Sequence, residues 1–124
     1  MPSQYQDNFI TIGNGGGFTG VVTQFYILPD GKVFKAVPLS DSVVIVGTIN
    51  KSLAAQQFEI YRNFNLKEMK LDDPGNIYYF ISSNKSSNKL TWGGNNSDVP
   101  PFVSTFHSNL SRLIKEITEN SSKQ

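Results

Sequence analysis

Gly13-Asn14-Gly15-Gly16-Gly17-Phe18-Thr19-Gly20, GNGGGFTG, packs half of the chain's ten glycines into eight positions. The element after this run settles the architecture. A nucleotide-binding glycine loop opens a helix whose free backbone N–H groups hold phosphate. Here Val21, Thr23, Phe25 and Ile27 alternate around Gln24 with the period of two that marks a strand. Counted from Gly13, the third glycine of a dinucleotide fingerprint would fall on Phe18, and no Gly-Lys-Ser/Thr comes after it. Phe9–Ile12 before the run also has strand composition. The run is therefore expected to bend a hairpin, with Asn14-Gly15 suited to a type I′ turn because both central residues need positive φ. A two-residue turn needs one or two glycines, and Gly16, Gly17 and Gly20 exceed that need. Extra glycines let a neighbouring group approach the backbone closely.

Outward from the run, Pro29-Asp30-Gly31 presets a turn and Lys32–Val37 returns as a third strand. Val43–Ile49 is β-branched on both faces and is expected as a more buried strand. Asn50 caps a helix from Lys51 to near Asn63, with Ala54, Phe58 and Tyr61 on one stripe. Leu66–Leu71 fits no single element, and Asp72-Asp73-Pro74-Gly75-Asn76 is a strong turn signal. Ile77–Ile81 and Lys89–Trp92 form a hairpin around the polar loop Ser82–Asn88. In it, Leu90 and Trp92 share a face, and Tyr79 points away from Tyr78 and Phe80. After the loop Gly93–Asp98, Pro100-Pro101 opens a last helix. Phe102, Phe106, Leu110, Leu113, Ile114 and Ile117 line one side of it, Ser104, Ser108, Ser111 and Lys115 the other, and the chain is expected to fray from Glu119. This order predicts an α+β fold: an antiparallel sheet of about five to six strands with two helices packed on one face. A chain of 124 residues supports one domain, 1–124, with an ordered core of about 8–118.

Composition excludes several functions. Eleven basic and ten acidic residues form no cationic stripe, so nucleic acid is not an expected partner. With no cysteine, neither a thiolate nor a Cys-based zinc or iron–sulfur site can form; one histidine leaves only carboxylates as further metal ligands, and Asp72-Asp73 lack the alternating oxygen ligands of a calcium loop. No metal and no cofactor are therefore expected. His107, on the border of the last helix's stripe, is expected to be half-buried. The serines beside it are explained as a solvated face, so no catalytic residue is assigned. No apolar run approaches the roughly 20 residues that span a bilayer. As written, the chain reads as cytoplasmic; it would be exported or lipid-anchored if Met1 replaces a removed signal peptide. Asn-x-Ser matches at Asn50, Asn84, Asn95, Asn109 and Asn120 are expected by chance in so Asn- and Ser-rich a chain.

Phe9–Gly20, Asp30-Gly31-Lys32-Val33-Phe34, Pro74–Ile81 and Thr91-Trp92-Gly93 together resemble a family of small uncharacterised bacterial proteins with an FITIGNGGGFTG-type motif, some of them lipoprotein-like. That resemblance runs from Phe9 to about Leu113 and implies no particular activity. Gly16-Gly17-Phe18-Thr19-Gly20 at an early hairpin, a middle helix, a Tyr-containing strand and a closing helix also resemble emfourin-type inhibitors of thermolysin-like metalloproteases. The shared motif is a glycine pair, an aromatic and another glycine; Gly13-Asn14-Gly15, Trp92-Gly93-Gly94 and the long polar loops depart from it. The second resemblance implies a non-enzymatic module that binds a protein, a protease, through Gly15, Gly16, Gly17, Phe18, Thr19 and Trp92. Two alternatives stay open on the residues: a small enzyme or ligand carrier with a pocket near His107 and Trp92, and a structural or assembly protein.

Overall fold

The computed structural model describes residues 9–16, 22–37, 42–63, 72–73, 77–83, 89–93 and 99–122. In chain order the elements are β1 (Ile10–Gly16), β2 (Thr23–Ile27), β3 (Lys32–Ala36), β4 (Val43–Thr48), α1 (Lys51–Asn63), β5 (Asp72–Asp73), β6 (Ile77–Ser83), β7 (Lys89–Gly93) and α2 (Pro101–Ser122). The six longer strands form an antiparallel sheet, extended by the two-residue β5 lying parallel to β7, in the order β4-β3-β2-β1-β6-β7-β5. The α+β architecture is as expected. The central place of β1 is not a consequence of the meander β1-β2-β3-β4; it comes from β6 returning to pair along all of β1, Ile10↔Ser83 through Gly16↔Ile77.

Because side chains alternate along a strand, register sorts residues into two faces. One face carries the aligned row Val33–Ile27–Ile10 and, one step along, Phe25–Ile12–Ile81–Leu90. These residues join Ala54, Phe58 and Tyr61 of α1 and Val103, Phe106, Leu110, Leu113 and Ile114 of α2 in one core. Both helices therefore cover this face, and the Tyr61 and Phe106 rings, 6.1 Å apart, join them to each other. Each fully buried Ile or Leu here contributes about 2 kcal/mol through removal of apolar surface from water. A hydrogen bond between the Tyr61 and Ser83 hydroxyls ties α1 to β6, and burial raises the Tyr61 phenol above its ordinary pKa against the opposing pull of that bond.

Local signals act as expected at several ends. Asn50 Oδ1 accepts from Ser52 N at 2.9 Å and from Leu53 N at 3.4 Å, so α1 begins at Lys51 with its first donors satisfied. At the β2–β3 turn, Leu28 N donates to Lys32 O and Gly31 N to Leu28 O, both at 2.9 Å, with Gly31 at φ 100°. Proline in its first turn opens α2, where Val103 N donates to Pro100 O.

Four expectations are corrected. The turn does not sit at Asn14-Gly15, since β1 runs through Gly16 and Asn14 is paired with Thr23 on one side and Tyr79 on the other. Pairing of Asn14 on both sides and of Gly15 with Tyr78 holds these residues extended, which overrides their turn preference. The β1–β2 connection begins after Gly16, and residues 17–21 lie outside the described residues. β4 is an edge strand, with Val44 52% and Ile45 61% exposed. β-Branching alone does not separate a central strand from an edge. Asp72–Asp73 form the short strand β5 rather than turn alone, because β7 offers a free side to pair with. α2 continues past Glu119 to Ser122.

Candidate functional site

Gly13 lies where the two layers meet. Its register partner on β6 is Phe80, on the face away from the helices. A Cβ on Gly13 would fall on Phe80 Cζ, 2.9 Å from Phe80 Cε1, and against the Thr23 carbonyl oxygen. The ring thus occupies the space that glycine leaves. Phe80 is only 2% exposed although neither α1 nor α2 covers that face. Lys89 Nζ sits 4.4 Å from its centroid and the Tyr78 ring 6.3 Å away. An ammonium over an aromatic face is attracted by the ring quadrupole while its alkyl stem shields the ring from water.

Two residues on, the arrangement repeats. Gly15 pairs with Tyr78, and a Cβ there would meet Tyr78 Oη at 2.7 Å, Tyr78 Cζ at 2.9 Å and Val22 Cγ2 at 3.0 Å. The glycine excess is thereby explained in part: Gly13 and Gly15 are strand residues roofed by cross-strand rings, and Gly16, at φ 84°, closes the strand. The sequence carried a signal for this. Glycines at 13 and 15 and aromatics at 78 and 80 share the period of two, but only the pairing of β1 with β6 relates them.

On the helix side, His107 Nε2 lies 3.0 Å from the Gly13 carbonyl oxygen. A carbonyl can only accept, so Nε2 carries the hydrogen. In the neutral ring Nδ1 is then an acceptor, and Ser111 Oγ donates to it at 3.4 Å. The Tyr79 and Trp92 rings stand edge-on to the imidazole at 5.3 and 5.4 Å. They are also register partners of each other, 6.1 Å apart. His107 is 6% exposed, more buried than its place on the stripe predicts. Burial lowers its pKa below the ordinary value, and the bond to Gly13 opposes that shift. This imidazole clamps α2 to the middle of the sheet, with both nitrogens committed and a ring on each of two sides.

The sequence-derived contact residues divide. Gly15 is buried beneath Tyr78, and Gly16 stands at the end of β1. Gly17, Phe18 and Thr19 lie outside the described residues. Trp92, 4% exposed, belongs to the core on the helix-covered face, whereas Gly15 faces the other way. Trp92 therefore cannot act as an exposed anchor beside Gly15. The sequence put it on one face with Leu90, and the structure makes that face the core side.

Among the described residues, no three His, Cys, Asp or Glu side chains are grouped to hold a metal ion, and no helix is long and apolar enough to cross a membrane. No protein-family model matches the chain, and no curated protein matches it.

Proposed function

We propose that the chain is a non-enzymatic protein-binding module whose contact region is the glycine-rich end of β1 and the residues next to it in sequence. The observation that supports this most is how firmly the end of β1 is held. Gly15 and Gly16 are the last residues of the central strand, paired to β6 up to Gly16↔Ile77 and roofed at Gly15 by Tyr78. Contacts made by Gly15 and Gly16 carry little ordering cost, because the sheet already holds these two residues. Phe18, two residues beyond Gly16 in sequence, supplies an apolar side chain for a partner's pocket. The partner class we propose is a thermolysin-like metalloprotease, blocked by occlusion of its cleft. A ligand or catalytic pocket at His107 and Trp92 has less support, because Tyr79 and Trp92 pack onto that imidazole and both its nitrogens are hydrogen bonded.

The test is peptide hydrolysis by several thermolysin-like proteases with the protein at micromolar concentration. Inhibition that a folded Phe18→Ala variant loses supports the proposal. Unchanged hydrolysis overturns the protease as partner, and full inhibition by Phe18→Ala overturns the assignment of the contact to this segment.

A further inference from the structure

We infer that β4 is a self-association edge, at which two copies of the chain pair antiparallel across a two-fold axis to continue the sheet. In the described sheet β4 has β3 on one side and no strand on the other. Such an edge is a template for another strand, and monomeric proteins guard it with charge, proline or a bulge. Residues 43–49, Val-Val-Ile-Val-Gly-Thr-Ile, contain neither a charge nor a proline. The irregularity against Val33/Phe34 lies toward the Val46 end, which leaves Val43–Ile45 in regular register with Ala36, Lys35 and Phe34. Val44 and Ile45 are among the most exposed large apolar side chains described, at consecutive positions, so both faces of this edge are apolar.

The uncharged edge selects a second copy as the occupant. A β4 strand meeting β4 brings no like charges together and pairs β-branched residues with β-branched residues, the combination that cross-strand packing favours. The opposite end of the sheet is β5, two residues long and both acidic, which offers no complementary strand for head-to-tail addition. Association therefore closes as a dimer instead of propagating as a fibre. Antiparallel pairing of identical strands in one sheet puts the two-fold axis perpendicular to that sheet, so both copies keep their helices on the same side. The pleat then allows Ile45 to meet only residues of its own face, Val43 or Ile45 of the second copy. α2 lies over this edge, with Ile117 Cβ 3.3 Å from where a Gly47 Cβ would be, and the helical layer is brought toward its symmetry mate along with the strand.

This inference is independent of any protease contact and is tested by sedimentation velocity on the full chain from micromolar to about millimolar concentration. The expected species has twice the 13.8 kDa chain mass. Ile45→Lys, at an exposed position that leaves the fold intact by circular dichroism, is expected to raise the dissociation constant about tenfold or more by placing cations together at the axis. Leu53→Lys, on the exposed side of α1, is expected to leave it unchanged. A monomer throughout the range overturns the inference, as does a dimer that Ile45→Lys leaves intact or that Leu53→Lys weakens equally.

Discussion

The Phe80 ring fills the space beside the Gly13 α-carbon, in register across β1 and β6, so that a central-strand glycine and a buried aromatic form one packing unit on the face without helices. Glycine in a strand normally weakens it, and an aromatic laid over it restores the buried apolar surface. Gly13→Ala is expected to destabilise the protein by about 3 kcal/mol, because the new methyl group meets both the ring and the Thr23 carbonyl of the neighbouring strand. Gly15→Ala is expected to cost about 1 kcal/mol, since it meets the outer end of Tyr78 and a Val22 methyl group, which can shift. Denaturant midpoints of the two variants check this ordering; a reversal would show that Phe80 yields more readily than its packing implies.

The burial of His107 gives stability a pH dependence of definite sign. Its folded pKa lies below the ordinary 6.5, with desolvation the larger cause. The unfolded chain therefore binds the proton more tightly, and stability rises with pH between the folded and unfolded values. The contribution is fully present above about 6.5 and is lost progressively as pH falls from there toward the folded pKa. A stability difference between wild type and His107→Asn that shrinks as pH is lowered through 6.5 is the expected outcome of equilibrium unfolding series. A constant difference would mean that His107 binds its proton equally well in the folded and the unfolded chain, contrary to the desolvation that its burial imposes.

At the β2–β3 turn, Gly31 combines a positive φ with a close neighbour. A Cβ there would fall on the Ile49 carbonyl oxygen, while Gly31 O accepts from Ile49 N at 2.8 Å. Gly31→Ala is expected to cost about 3 kcal/mol, more than left-handed backbone alone accounts for. Gly31→Asn, which tolerates positive φ, is expected to be no better, because the obstacle at Ile49 remains. Thermal unfolding of both variants tests this; recovery in Gly31→Asn would show that the backbone angle is the whole cause.

Much of the fold was legible in local chemistry. The caps at Asn50 and Pro100-Pro101, the turn at Pro29-Asp30-Gly31, the hairpin of β6 and β7 and the apolar stripe of α2 each depend on residues close in sequence. The errors share one physical origin. Asn14-Gly15 has the composition of a turn and Val43–Ile49 that of a buried strand, but partners far away in the chain set whether a glycine is a turn or a strand, and whether a valine is central or at an edge. The candidate contact region was located by its glycine excess and by a short-motif resemblance, and Trp92 was assigned to it before the faces of the sheet were known.

Periodicity and capping are short-range properties of the chain, and they were enough to establish the six longer strands, the two helices, their order and an α+β sheet with helices on one face. That Gly13 serves both layers, with Phe80 against its α-carbon and His107 on its carbonyl, emerged from the three-dimensional packing alone. The arrangement requires β6 to pair with β1 and α2 to cross the sheet, contacts between residues 67 and 94 positions apart. No local preference encodes closures of that length; the burial they make possible holds them.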